Sequence, residues 1–328
     1  MQDSIPSFSV NIRKGKNARI ATIRSYAKIN WFLRIGSQRD DGYHNIDSLM
    51  QLVNLYDEIE IYQSDSHDRI ECNLDIPTGP GSMLAVLLET VRALHSSLRD
   101  IRFSLRIRKH IPLAGGLGGG SSNVAALLRL FSRMAGVELS QKVLLETSSR
   151  IGSDVPFFAS EVPFARIRGR GENVIPLLPA PQAHLVLVFP GFGISTAWAF
   201  AAWDEFAAGR KKAGPGRNSV IDKYNESPSV IQIESLIMND FEKTVFSAYP
   251  QLKELKKELF QRGCSRVFLS GSGSTLVGVV REEATAINIC RQMKDMGIEC
   301  QAVQTLTRVP EYLYRGNSEG RKGTCPTR

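Results

Sequence analysis

Residues 112–122 read Pro112-Leu113-Ala114-Gly115-Gly116-Leu117-Gly118-Gly119-Gly120-Ser121-Ser122, five glycines among eleven residues, closed by paired serines. Glycine lets the backbone approach a ligand closely and adopt positive φ without steric cost. A helix-like stretch, Asn123 to Phe131, follows at once. A helix N-terminus leaves N–H groups unpaired and carries the positive end of the helix dipole. Together they make an anion site, most often for phosphate. Ser121 and Ser122 can cap the helix, hold phosphate oxygens or reach a magnesium ion. As a plain turn, the run would raise the entropic cost of folding for no structural need.

The familiar phosphate loops do not fit. A Walker loop requires a lysine before its closing Ser or Thr, and none stands between Gly115 and Ser122. The dinucleotide fingerprint requires a third glycine three residues after Gly-x-Gly. Those positions are Ser121 and Asn123. Two further residues complete a phosphoryl-transfer set. Lys28 stands in an apolar strand context, and Asp154 lies in Gly152-Ser153-Asp154-Val155-Pro156. Alone, the lysine would read as a wet-face strand residue and the aspartate as an Asx-turn or helix cap. Beside a phosphate cradle they supply what the chemistry needs, a cation for developing charge and a carboxylate for the acceptor hydroxyl.

These residues must be held by secondary structure. Ile101, Phe103, Leu105 and Ile107 alternate with Arg102, Ser104, Arg106 and Arg108, which predicts a strand with one buried and one basic face. After the loop, Leu127, Leu130, Phe131 and Met134 form a helical stripe that Gly136 ends. Strands are expected over 20–35, 58–62, 185–189 and 266–269, and helices near 46–53, 83–95, 141–150, 252–260 and 284–296. Residues 209–229 lack periodicity and read as a flexible insertion. A second glycine turn, Ser270 to Ser274, follows the strand at 266–269. Mixed rather than alternating elements indicate an α+β chain. The expected division is a flexible extension over 1–20, domains over 21–175 and 176–310, and a tail over 311–328.

The chain has 328 residues, 42% of them hydrophobic, and a net charge of +8. That length suggests two domains. No apolar run approaches the roughly 18 residues of a membrane span. The basic N-terminus lacks the apolar core of a secretion signal. The five cysteines, at 72, 264, 290, 300 and 325, show no zinc spacing. Reduced thiols in a cytoplasmic protein are the expectation, with no metal held by protein side chains alone. The positive charge suits nucleic acid or an enzyme of polyanionic substrates.

The sequence resembles the GHMP kinases, named for galactokinase, homoserine, mevalonate and phosphomevalonate kinases, whose signature is a proline-led glycine loop ending in paired serines. Within that superfamily it closely resembles the branch that phosphorylates 4-diphosphocytidyl-2-C-methyl-D-erythritol in non-mevalonate isoprenoid synthesis. The matching stretches are Ala27-Lys28-Ile29-Asn30, Asp41-Gly42-Tyr43-His44, Pro112 to Ser122, Ile151 to Pro156, Gly169-Arg170-Gly171-Glu172, Pro190-Gly191, Asn239 to Glu242 and Ser270 to Gly273. The resemblance spans roughly residues 22–307.

It implies a two-domain α+β GHMP kinase fold, with a ribosomal-protein-like N-terminal domain and a ferredoxin-like C-terminal domain. It implies ATP and cytidine diphosphate methylerythritol as small-molecule substrates, with Mg2+ held mainly by ATP. Lys28 and Asp154 match the catalytic pair. Pro112 to Ser122 and Leu84 match the ATP site. Asn30, Tyr43, His44, Thr196 and Phe200 match the substrate site, with Tyr43 and Phe200 sandwiching the cytosine and His44 bonding its edge. No nucleic acid or membrane partner is implied, and the chain would act as a monomer or homodimer. Gly81-Ser82-Met83-Leu84 departs from the family's Asp-Asn-Leu segment on the adenosine side. Another GHMP kinase, for mevalonate or homoserine, is the nearest alternative, though neither acceptor has a base for Tyr43 and His44. An RNA-binding protein is the alternative from another class, without a recognised RNA-binding motif.

Overall fold

Two long strands organise the molecule. β1 (Arg19–Gln38) pairs antiparallel with β2 (His44–Ser64), from Arg19 against Tyr62 to Gln38 against His44. The computed structural model describes residues 19–137, 139–208 and 229–310. The expected insertion at 209–229 lies outside the described residues except for Ser229. The tail at 311–328 and the first eighteen residues also lie outside them, while Arg19 and Ile20 already belong to β1.

After β2 come β3 (Arg69–Cys72), α1 (Met83–Leu94), β4 (Arg102–Arg108), α2 (Gly119–Met134), α3 (Gln141–Ile151) and α4 (Val155–Ala159). They are followed by β5 (Phe164–Gly169), β6 (Asn173–Pro176), β7 (His184–Phe189), α5 (Thr196–Ala208), α6 (Val230–Leu236) and β8 (Met238–Asn239). The chain continues through α7 (Glu242–Ala248), α8 (Pro250–Gln261), β9 (Arg266–Leu269), β10 (Leu276–Val280), α9 (Glu283–Asp295) and β11 (Glu299–Gln304). The helices expected near 83–95, 141–150, 252–260 and 284–296 are α1, α3, α8 and α9. The basic-faced strand is β4, with Phe103, Leu105 and Ile107 buried.

One expectation fails. Residues 46–53 are strand, the first half of β2, and not helix. Met50 and Leu52 enter one core, Leu49 and Val53 another, so the strand is covered on both faces. A doubly covered strand reads as a continuous apolar run and hides its period of two.

The larger sheet has the order β3-β4-β2-β1-β8, with β5 and β6 added beside the first half of β2. The smaller sheet has the order β11-β7-β10-β9. Three apolar layers hold four layers of structure together. Leu87, Val91, Val124, Leu127 and Phe131 from α1 and α2 pack with Ile59, Ile61, Phe103 and Leu105 of the large sheet. Ile29, Trp31 and Leu49 meet Leu185, Leu187, Phe268 and Val277 between the sheets. Val186, Val188, Leu269 and Leu276 pack against Val245, Leu252, Leu259 and Ile289 from α7, α8 and α9. The strand β8 crosses from the second half of the chain to pair with Phe32 and Leu33 of β1.

Candidate active site

The pairing of β1 with β2 slips between Tyr26 and Lys28 and again between Asn30 and Phe32. Bulges of this kind re-aim side chains. Between them Lys28, Ile29 and Asn30 stand opposite Leu52, Gln51 and Met50. Lys28 is only 3% exposed, against the wet-face reading of a strand lysine. Its ammonium donates to Asn30 Oδ1 at 2.6 Å and lies 3.4 Å from Asp154 Oδ2. Asn30 Nδ2 donates to Ser48 Oγ at 2.8 Å, and Ser48 donates to the Phe32 carbonyl at 2.7 Å. Each donor in this chain has an acceptor, so the orientation of the Asn30 amide is fixed. Burying a lysine is tolerated where it is paired and hydrogen-bonded.

Asp154 reaches Lys28 because α3 stops at Gly152 and α4 begins at Val155, with Pro156 in its first turn. Asp154 occupies the N-cap position of α4, yet its side chain makes no capping bond. The carboxylate therefore serves Lys28 and solvent, not the helix. The cap reading that this aspartate would have alone is not met.

The glycine loop lies beside this pair. Lys28 N–H donates to the Leu117 carbonyl at 3.0 Å. Gly118 caps α2 in the left-handed region, φ 70°, and α2 starts at Gly119, earlier than the expected Asn123. Gly119, Gly120 and Ser121 thus open its first turn, whose N–H groups have no partner within the helix, whereas Ser122 N–H donates to the Gly118 carbonyl at 2.9 Å. Ser121 is half-buried and Ser122 buried.

Several glycines answer to protein rather than ligand. A Cβ on Gly116 would collide with the Ser270 carbonyl, and one on Gly115 would lie 2.9 Å from Thr275 Oγ1. On Gly118 it would lie 2.8 Å from Phe158 Cζ and 3.2 Å from Lys28 Cε, and on Gly119 2.9 Å from Lys109 Nζ. Gly120 alone of these five is open, with Met83 Sδ at 4.0 Å the nearest atom to such a Cβ. The second glycine turn grips the first: Ser270 Oγ donates to the Gly116 carbonyl at 3.1 Å and Thr275 N–H to the Gly115 carbonyl at 3.3 Å. Asn239 of β8 holds that turn by donating to the Leu269 and Gly271 carbonyls, each at 2.8 Å. Pro112 is half-buried, and Leu113 and Ala114 are exposed.

Sequence reasoning missed three supports. Lys109 and Asp57 form a fully buried ion pair under the loop, in which Asn123 Nδ2 also donates to Asp57 Oδ2 at 2.9 Å. The N–H groups of His110 and Ile111 donate to Asp57 Oδ1 at 2.8 and 2.9 Å. This pair ties the end of β4 to α2. The third support is Met83, beside both Gly120 and Gly152, whereas Leu84 turns into the core at 6% exposure. The break in α1's pattern at Ser82, its N-cap, could have pointed to Met83.

The remaining expected residues gather around α5. Thr196, Phe200 and Asp204 recur every four residues and share a helix face. Thr196 Oγ1 lies 3.1 Å from Ser272 Oγ in the second glycine turn. Phe200 stacks on His44, ring centroids 5.1 Å apart and planes at 13°. His44 Nε2 meets Asp204 Oδ1 at 2.8 Å. An ionised carboxylate only accepts, so Nε2 carries the proton. Asp204 was not expected, though its spacing from Phe200 was legible. Tyr43 is 50% exposed and lies apart from the His44–Phe200 stack, with the Arg170 guanidinium 4.9 Å from its ring centroid. The ring stacked face to face on Phe200 is thus His44, while Phe241 meets it edge to face at 5.0 Å.

Among the described residues, no cluster of His, Cys, Asp or Glu could hold a metal ion, and no helix is long and apolar enough to cross a membrane. Chemically, the site offers an anion cradle, a buried ammonium, a partly open carboxylate and an aromatic platform.

Comparison with known proteins agrees with this geometry. Residues 85–161 match the GHMP kinases N terminal domain and residues 228–299 the GHMP kinases C terminal domain. The 4-diphosphocytidyl-2-C-methyl-D-erythritol kinase of Thermodesulfovibrio yellowstonii is 34% identical over 87% of this chain and 98% of its own length. That of Geobacter sulfurreducens is 33% identical over 87% of this chain and 99% of its own. A crystal structure of 4-(cytidine 5'-diphospho)-2C-methyl-D-erythritol kinase superposes with a TM-score of 0.68 at 24% identity, covering 87% of this chain and 98% of that one. The Methanococcus jannaschii mevalonate kinase gives 0.61 at 13% identity, over 90% and 100%. The chain belongs to the GHMP kinases and has their mixed α/β two-domain fold.

Proposed function

With membership of the GHMP kinases as premise, we propose that this chain transfers the γ-phosphoryl group of ATP to the 2-hydroxyl of 4-diphosphocytidyl-2-C-methyl-D-erythritol. The products are the 2-phosphate and ADP. The observation that carries the reading is the Lys28–Asp154 pair, 3.4 Å apart and beside the first turn of α2. The near-full-length relatives named for this activity support the choice of acceptor.

The residues divide the work. The N–H groups of Gly120 and Ser121 and the dipole of α2 receive phosphate oxygens. Asp154, free of any capping bond, accepts the proton of the tertiary hydroxyl or orients it. Lys28 holds the Asp154 carboxylate in place and offsets negative charge that gathers during transfer. Asn30 and Ser48 fix the direction of the Lys28 ammonium, so Asn30 acts through Lys28 as much as on the substrate. Phe200, His44 and Tyr43 supply flat and polar surfaces for cytosine, where stacking is worth about 1–3 kcal/mol. Mg2+ would enter with ATP, held chiefly by its phosphates with Ser121 or Ser122 as hydroxyl ligands, and would neutralise phosphate charge. The setting would be the cytoplasm, with the chain a monomer or homodimer.

A panel of acceptors tests the reading. ADP release should be fast with the cytidine-linked acceptor and negligible with mevalonate or homoserine. Faster turnover of either simple acceptor would replace the assigned substrate.

A further inference from the structure

The Gly169-Arg170-Gly171-Glu172 turn joins β5 to β6 and has no part in the chemistry above. Its geometry is nevertheless tied to both ends of the site. The Arg170 guanidinium faces the Tyr43 ring at 4.9 Å, while its Nη2 donates to the Ser149 carbonyl at 2.7 Å. Ser149 lies in the last turn of α3, five residues before Asp154. A cation there pairs with the negative end of the helix dipole.

The turn's backbone also rests on the segment that carries Asp154. Gly171 has φ 138°, and a Cβ on it would collide with the Ser153 carbonyl. Glu172 fixes the turn internally, accepting the Arg170 N–H at 2.6 Å. It also reaches across to the other turn, with Arg39 Nη1 3.4 Å from its Oε1. Arg39 N–H in turn donates to the Tyr43 carbonyl at 2.7 Å. Two hairpin turns are thus clasped together, one bearing Tyr43 and the other abutting Ser153.

We infer that Arg170 is a positioning residue that joins the base platform to the catalytic loop. It covers one face of Tyr43 and leaves the other for the substrate's pyrimidine. Its second contact holds the last turn of α3, which leads through Gly152 and Ser153 to Asp154. A base seated on Tyr43 therefore presses on the same guanidinium that orders the approach to Asp154. This inference rests on the acceptor proposed above, because only an acceptor carrying a base engages Tyr43.

The test compares wild-type enzyme with Arg170→Met, which keeps length and loses charge, and Arg170→Lys, which keeps charge. Wild-type turnover of the cytidine-linked acceptor is measured first, and its absence would overturn the assigned acceptor itself. Given that turnover, Arg170→Met should raise KM for the cytidine-linked acceptor about three- to tenfold, the range of a partly desolvated cation–π contact. kcat should fall as well, while ATP affinity by calorimetry stays within twofold. Arg170→Lys should recover at least half of the KM change. In the Tyr43→Leu background, Arg170→Met should raise KM by less than twofold further, because the shared contact is already gone. An unchanged KM in Arg170→Met would overturn the inference. So would an equal loss of ATP binding, which would make Arg170 a general prop of the fold. If Arg170→Met does not fold, Arg170→Lys decides: it must bind ATP normally and keep the acceptor KM within threefold of wild type, and failure of either overturns the inference.

Discussion

The Ser270 carbonyl occupies the space that a side chain on Gly116 would need. The two glycine turns therefore interlock, one from each half of the chain, and the phosphate loop takes its shape from the second turn. Gly116 also has φ 75°. Gly116→Ala combines a left-handed backbone with a backbone collision, and should cost at least about 2 kcal/mol in urea denaturation. A variant as stable as wild type would contradict the interlock.

Gly120 should behave in the opposite way. It sits in the first turn of α2, where no atom comes closer than 4.0 Å to the place a Cβ would take. Gly120→Asp gains a little helix propensity, about 0.1–0.3 kcal/mol, and favourable charge at a helix N-terminus, about 0.3–1 kcal/mol. Thermal stability should rise while ATP affinity falls at least tenfold, because the new carboxylate occupies the anion site. Unaltered ATP binding in calorimetry would remove the phosphates from this turn.

Recognition of the base should favour cytosine. Cytidine diphosphate should compete with the acceptor substrate more strongly than uridine diphosphate, whose ring edge reverses the hydrogen-bond pattern. Phe200→Ala should raise the acceptor KM about tenfold or more and spare that of ATP. Equal competition by the two nucleotides would take base reading away from His44.

His95 should make stability depend on pH. It is buried, and its Nε2 meets Ser132 Oγ at 3.2 Å, while Ser132 donates to the Leu128 carbonyl. Its Nδ1 is buried without a hydrogen-bond partner. Burial pushes its pKa below the usual 6.5. The folded state thus holds His95 neutral, and its contribution is complete above pH 6.5. As pH falls below that, the unfolded chain gains the proton first, and stability drops by up to about 1.4 kcal/mol per pH unit. His95→Gln should flatten that decline. An identical slope in the variant would assign the pH dependence elsewhere.

The site was more legible than the scaffold that aims it. The glycine loop, Lys28 and Asp154 stand out because their residue types are rare in those contexts, and the structure places all of them together. What escaped were features that depend on chain regions far apart in sequence. The first half of β2 looked helical because alternate residues, Met50 and Leu52 against Leu49 and Val53, feed different cores. The Asp57–Lys109 pair spans 52 positions and leaves no local pattern. Glycines such as Gly116 looked ligand-facing, but a neighbouring backbone explains them equally well.

The Lys28–Asp154 unit is tested most directly by single-turnover transfer from ATP to the cytidine-linked acceptor, followed by phosphorus NMR. Wild-type protein should convert the acceptor to a new phosphomonoester on its tertiary hydroxyl. Asp154→Asn and Lys28→Met should bind ATP and acceptor nearly normally, yet lose about two or more orders of magnitude in rate. Groups that act as one unit are non-additive, so the double variant should be little slower than either single one. Retained turnover in Asp154→Asn, or losses that multiply fully in the double variant, would contradict the account.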